Sequence, residues 1–453
     1  MTSSGTLTQP ADQSTDWIVR AHRDHVLTSW SKQSGPDPMT VVGGEGCWFV
    51  DSDGNRYLDF LSQLVNLNLG HQHPRLVDAI AEQAKKLSFI GPTFANEARS
   101  KLALEMDRIT PGNLTASFFT TGGAAANEAA IAIARVVTGR HKVVTRYRSY
   151  HGATAGAMTA TGDPRRWGLE PLGTPGIVRM LDPYVPGAIP GDDPRYSAAH
   201  LEEILQFENP GSVAAVLLET VTGTNGPIVP PPGYLKAVRE LCDRHGILLI
   251  CDEVMVGFGR LGTWFGVEQF DVVPDILTTA KGINSGYVPL GAATVGAHIR
   301  DVLRDVALPA GLTYAGHPLA CGSAVASIEI MEDECIVENA AVQGERLRLG
   351  LEELAKRHPS VGGVRGLGLM QGLDLVGTDG RTPLVPFRGT AEQAAPAVAV
   401  VKAAHERGLY IGRNDSVIRL APPLIITAEE IDLALSILDE ALVEADRHVG
   451  GSV

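Results

Sequence analysis

Short apolar runs alternate with helically spaced apolar positions through most of the chain, and that alternation sets the expected fold class. Residues 114–119, 142–146, 213–218, 247–251 and 276–279 are brief, mostly apolar and rich in β-formers, the pattern of buried strands. Between them, residues 127–137 and 234–244 read as helices, the second opened by Pro231-Pro232. Strands and helices in turn predict an α/β fold whose sheet is mostly parallel and covered on both sides. Upstream, residues 41–60 break short apolar stretches with Gly43-Gly44 and Asp51-Ser52-Asp53-Gly54, which predicts a hairpin-rich entry with a turn at Asp53-Gly54. Residues 181–195 are rich in Pro, Gly and Asp and predict a long surface loop.

After Glu332 the pattern changes. A helix is expected at 340–357, short strands around 361–375, and a loop over 372–389. Two more helices follow, at 396–407 with Pro396 in its first turn and at 429–448. The expected division is an N-terminal segment 1–60 that contributes to a small domain, a large domain 61–332, and a C-terminal small α+β domain 333–453.

Composition narrows the function classes. At 453 residues, 44% apolar and 20% charged, the chain reads as a soluble globular protein with more than one core. A net charge of -14 argues against nucleic acid or an anionic membrane as the main partner, and leaves small anionic substrates open. The five cysteines (Cys47, Cys242, Cys251, Cys321, Cys335) are scattered, with no pair at zinc or redox spacing. A reducing, cytoplasmic setting without a metal is therefore expected, and no apolar stretch is long enough to span a bilayer.

Three features carry the chemistry, each where a strand gives way to a loop or helix, which is where doubly wound sheets gather ligands. Thr120-Thr121-Gly122-Gly123-Ala124-Ala125-Ala126-Asn127-Glu128 brings small residues to a helix start. Such a turn suits a phosphate, or it simply enters an alanine-rich helix. No Lys-Ser/Thr pair follows, so it is not a nucleotide P-loop. The buried run 247–251 ends in Asp252-Glu253-Val254. An acid there needs a cationic or strong donor partner: a protonated pyridine nitrogen would serve, and so would the cap of the next turn. Lys281, in Thr279-Ala280-Lys281-Gly282, is either an ordinary lysine or one that condenses with an aldehyde and later shuttles a proton.

Taken together, Gly122 through Glu128, Gly70-His71-Gln72-His73-Pro74, Tyr150-His151-Gly152, Asp252-Glu253-Val254 through Arg260, Ala280-Lys281-Gly282, Gly316-His317-Pro318 and Arg419-Leu420-Ala421-Pro422-Pro423-Leu424 resemble the class III aminotransferases. The resemblance spans residues 24–440. It implies a fold type I transferase dependent on pyridoxal 5'-phosphate, with Lys281 on the cofactor aldehyde and Asp252 on the pyridine nitrogen. Tyr150 and Val254 would cover the two ring faces. Gly123 and Ala124 would offer N–H groups to the phosphate, with Gly122 permitting the turn. His151 and Glu219 join the cofactor set, and Thr313 would reach the phosphate of a neighbouring subunit. The enzyme would then be a homodimer or tetramer with shared active sites, acting on amine and oxo-acid substrates. Where many relatives have hydroxyl side chains in the phosphate turn, Gly122-Gly123-Ala124-Ala125 leaves more of the contact to the helix end.

The resemblance assigns the substrate carboxylate to Arg419, with Arg413 as its rival. In ornithine-type relatives a glutamate gates that arginine; Thr224 stands at the matching position here. Gly223-Thr224-Asn225-Gly226, Pro230-Pro231-Pro232-Gly233-Tyr234 and Thr161-Gly162-Asp163-Pro164-Arg165-Arg166-Trp167 look instead like the branch that uses pyruvate as acceptor with taurine or an omega-amino acid as donor. A 2-oxoglutarate-using aminotransferase, an intramolecular aminomutase or epimerase, and a non-catalytic cofactor binder are the alternatives. Trp30, Trp48 and Trp167 are scaffold or pocket-wall candidates, and His71 and His73 are expected to serve turns or packing.

Overall fold

A computed structural model describes residues 15–169, 173–184, 197–308 and 310–449. Its centre is a seven-stranded sheet in the order Leu114–Thr120, Gly291–Gly296, Ile276–Thr279, Leu248–Asp252, Val213–Glu219, Lys142–Arg146, Ile177–Met180. Gly291–Gly296 pairs antiparallel with both of its neighbours, and the remaining pairs are parallel. The run Val213–Glu219 is buried along its whole length, which is why it carries no polar alternation until its last residue.

Register decides what the sheet presents at its carboxyl ends. Glu219 lies opposite Asp252, and Asp252 lies opposite Thr278, so three polar side chains finish adjacent strands at one level. The helix Gly123–Thr138 begins four residues before the expected 127 and ends at Gly139 with φ 67°. The small-residue turn is therefore the first turn of the helix itself, since Ala residues propagate a helix up to the Gly122 cap.

Two four-stranded sheets accompany the central one. The expected entry hairpins form as Val41–Glu45, Trp48–Asp51 and Arg56–Asp59, and the distant Leu409–Tyr410 joins them in parallel at Leu58 and Asp59. The other sheet runs Val361–Leu367, Met370–Leu375, Val417–Leu420, Gly412–Asn414, and it places Arg419 opposite Gly372 on one side and Gly412 on the other.

Several expected boundaries are corrected. The helix expected from 340 starts at Ile336, and the terminal helix is Ala428–Asp446. Pro396 is not in a first turn: it lies inside Ala391–Glu406. Thr390 and Gln393 form a reciprocal capping box that starts this helix ahead of the proline, which then costs one interior backbone hydrogen bond. The loop expected over 372–389 loses its first residues to Met370–Leu375. Of the expected 181–195 loop, residues 185–195 lie outside the described residues. Among the described residues no helix is long and apolar enough to cross a membrane, and no cluster of side chains could hold a metal ion.

Candidate active site

Asp252 closes its strand almost fully buried, at 3% exposure, and its carboxylate is held from three directions. Oδ2 accepts from Nδ2 of Asn127 at 2.8 Å and meets Nδ1 of His151 at 2.8 Å; Oδ1 accepts from the Val254 N–H at 3.0 Å. Asn127 is itself fixed, since its Oδ1 accepts from the Thr278 hydroxyl at 2.8 Å. This network aims a carboxylate into the cleft and supplies the partners that an acid at a buried strand end needs.

Glu219, one strand over, is spent on backbone. Its two oxygens accept from the N–H groups of Tyr150 and Gly223, both at 2.9 Å. Burial raises its pKa; His151 opposes that shift and Asp252 adds to it. Glu219 thus positions the Tyr150 segment from behind and does not line the cleft. Glu253 points the other way, accepting from Thr220 at 2.5 Å and from the N–H groups of Gly266 and Val267, with its pKa pushed up to about 7 by burial.

Lys281 follows Ile276–Thr279 and opens a single tight turn, Lys281–Asn284, in a left-handed conformation at φ 47°. A lysine gains nothing intrinsically from that geometry, which costs about 1 kcal/mol or more, and such residues cluster at functional sites. Burial lowers its amine pKa to about 8; Asp252 and Glu219 oppose the shift, while Arg419 and Arg165 add to it. The side chain faces a cleft of about 440 Å³ that Gly122, Gly123, Ala124, Tyr150, His151, Asp252 and Val254 also line.

The other end of the cleft is an anion cradle. Gly122 caps Gly123–Thr138, and the N–H groups of the first turn have no partner within the helix. The approach is close enough to require glycine: a Cβ on Gly123 would sit 2.8 Å from Cγ1 of Val254, and one on Gly152 would sit 2.4 Å from Cβ of Ala124. An amine near neutrality, a carboxylate opposite, an aromatic and an aliphatic wall, and an anion cradle together fit pyridoxal phosphate.

Arg419 is almost buried and bonds to no acid among the described residues, and its Nε has no acceptor. Burial lowers its pKa to about 10, with Arg165 adding to the shift. Gly412 opposite leaves it room, since a Cβ there would meet Nη2 at 3.2 Å. Arg413 instead hydrogen-bonds the Asp415 carbonyl of its own turn at 3.3 Å; neither arginine lines the Lys281 cleft, and Arg419 lines a separate small cavity with Leu61, Met255 and Leu420. Thr313 is exposed and lies outside its own chain's cleft.

Sequence reasoning missed two groups. Asn127 was visible only as a helix residue; its role needs the sheet register that brings Thr278 and Asp252 to it. Arg165 was visible only as part of a motif. Its guanidinium lies 3.8 Å from the Tyr150 ring centroid and 5.7 Å from that of Trp30, and Asp163 grips it through Nε at 2.9 Å. Trp30, largely exposed, meets Tyr150 edge-on at 6.3 Å, whereas Trp48 donates to Glu430 in the scaffold. His71 and His73 pair with Asp59 and Glu334, in keeping with turn roles.

Comparison with known proteins bears on the whole chain. Residues 30–442 match the family model for class III aminotransferases. A solved structure of taurine:2-oxoglutarate aminotransferase from Bifidobacterium kashiwanohense, in complex with PLP and glutamate, is 40% identical with a TM-score of 0.92, covering 97% of this chain and 100% of that one. The taurine–pyruvate aminotransferase of Bilophila wadsworthia is 32% identical over 96% of this chain and 98% of its own. An acetylornithine aminotransferase of Caldanaerobacter subterraneus is 37% identical over 90% of this chain and 95% of its own.

Proposed function

The chain belongs to the class III aminotransferases, enzymes that use pyridoxal 5'-phosphate, and from that premise we propose that it transfers the amino group of a taurine- or β-alanine-like omega-amino acid to pyruvate. Bound in the cleft, the cofactor supplies an aldehyde for covalent attachment of amines and a ring that draws electrons from the reacting carbon. The chain's own residues supply the rest. Lys281, with its amine held near neutrality, removes a proton from the donor carbon and returns one at the next position, base and acid in turn. Asp252, oriented by Asn127 and His151, keeps the ring nitrogen protonated. Tyr150 and Val254, which line the cleft, would flank the ring, and the first-turn N–H groups of Gly123 and Ala124 would receive the phosphate. Thr313, exposed on its own subunit, would reach the phosphate bound by a neighbouring copy in a homodimer.

The observation that carries the substrate class is Arg419. A nearly buried guanidinium without an acid partner is costly unless an anion arrives, and a substrate carboxylate is that anion. Arg165 adds a second cation on the Tyr150 face, suited to the distant sulfonate or carboxylate of an omega-amino acid.

A second reading differs only in the acceptor. Two guanidiniums also suit the two carboxylates of 2-oxoglutarate, and the relative from Bifidobacterium kashiwanohense is named for that acceptor. Incubation of the enzyme with taurine or β-alanine and each oxo acid decides between them. Alanine from pyruvate, at a rate well above glutamate from 2-oxoglutarate, supports the first reading; the reverse order replaces it with the second.

A further inference from the structure

A second cavity, of about 350 Å³, lies between the Arg148–Tyr184–Asn225 side of the molecule and the sheet that carries Arg419. No described residue lines both this cavity and the Lys281 cleft. Its polar wall is rich in donors. The Tyr184 ring lies between two guanidiniums, Arg365 at 4.5 Å and Arg148 at 5.3 Å from its centroid. Arg148 is held by Asp182, and Arg365 gives Nη2 to Asp374 at 2.9 Å. That leaves Nε and Nη1 of Arg365, and Nδ2 of Asn225, buried without an acceptor. Arg381, an exposed residue, also lines the cavity. The acids facing the space are Asp374, already paired, and Asp415. The remaining lining includes the apolar residues Leu375, Val376, Val385 and Phe387.

Buried donors without acceptors are rare in folded proteins and mark places where water or a ligand completes the structure. A lining that combines cationic donors with hydrocarbon selects an amphiphilic acceptor. We propose that this cavity is a second ligand site for a small organic monoanion, a carboxylate or sulfonate on an aromatic or branched apolar body. The anionic head pairs with Arg365 and Arg381, and the body rests on Val376, Val385 and Phe387. Two of its residues are linked through the backbone to groups described above. Val417 shares a strand with Arg419, and Asn225 shares a turn with Gly223, whose N–H holds Glu219.

Thermal unfolding of the cofactor-loaded enzyme, followed with benzoate, benzenesulfonate and neutral benzamide, tests this. Both anions are expected to raise the midpoint saturably, benzamide to leave it unmoved, and the anion effect to persist in Arg419→Ala, because a ligand bound only to the native state stabilises it. Arg365→Gln and Arg381→Gln, with folding checked by circular dichroism, are each expected to weaken the apparent affinity about tenfold or more. If Arg365→Gln does not fold, Arg381→Gln decides alone. Absence of an anion effect, an equal response to benzamide, loss of the effect in Arg419→Ala, or undiminished affinity in the folded Arg365 and Arg381 variants overturns the proposal.

Discussion

The guanidinium of Arg165 stacks on the ring of Tyr150, with Cζ 3.8 Å from the ring centroid, while Asp163 fixes its other edge. Tyr150 thereby lines the cleft and at the same time carries a cation against its ring. The pair couples the residue expected against the cofactor ring to a residue suited to the acidic end of a substrate.

Arg165→Met is therefore expected to raise the KM for taurine or β-alanine by about 10- to 100-fold, the scale of a lost charge-assisted hydrogen bond. An uncharged primary amine should lose less than about threefold, because it has no anion to meet the guanidinium. Steady-state kinetics with both donor types checks this; equal losses would mean that the substitution only disturbs Tyr150.

Asp252→Asn removes the charge proposed to keep the ring nitrogen protonated. The single-turnover rate with an amine donor, read from the cofactor absorbance, is expected to fall by about 10²- to 10³-fold. Asn127→Ala leaves the carboxylate in place but loosens it, and a loss of about tenfold is expected. An unchanged rate in Asp252→Asn would remove that residue from the mechanism.

Arg419 separates function from stability. Arg419→Met should raise the oxo-acid KM by about 10- to 100-fold. It should also hold or raise the unfolding midpoint, because a nearly buried, unpaired guanidinium is replaced by hydrocarbon. Arg413→Met should leave the oxo-acid KM unchanged, since Arg413 serves its own turn. A KM effect confined to Arg413→Met would reverse the assignment.

The Lys281 amine, lowered to about 8 from 10.5 by burial, gives the cofactor-free enzyme a pH signature. Only the neutral amine attacks an aldehyde, so the rate of cofactor loading should rise with pH, with its midpoint near 8 and a plateau above it. Stability follows the same proton. Between about 8 and 10.5 the unfolded lysine keeps its proton while the folded one has released it, so this group's contribution to stability increases as pH rises through that window. A loading rate that keeps climbing to pH 10 would show an ordinary lysine.

Much of this site was legible because it sits at strand ends. Asp252 and Lys281 are each preceded by a short apolar strand, and a polar residue that interrupts such a run stands out. The helix start at Gly123 was placed four residues late, because small residues read equally as a turn or as a first helical turn. Asn127 and Glu219 could not be given their positioning roles, since those follow from cross-strand register and from backbone N–H groups far away in sequence. Arg165 carried no periodic signal at all; only the fold brings residue 165 over residue 150 and beside Trp30. The proline inside Ala391–Glu406 was misplaced because the Thr390–Gln393 capping box, a local signal, was outweighed by the usual preference of proline for a first turn.

The most direct test of amino transfer through Lys281 is isotopic. The cofactor-loaded enzyme is incubated with ¹⁵N-labelled β-alanine or taurine and an excess of pyruvate, and ¹⁵N-alanine is measured by mass spectrometry over many turnovers, for the unaltered chain and for Lys281→Ala. Labelled alanine is expected to accumulate steadily with the first and not to exceed background with the second. Near-normal turnover in Lys281→Ala, or label that stays within a rearranged donor, would contradict transfer through Lys281.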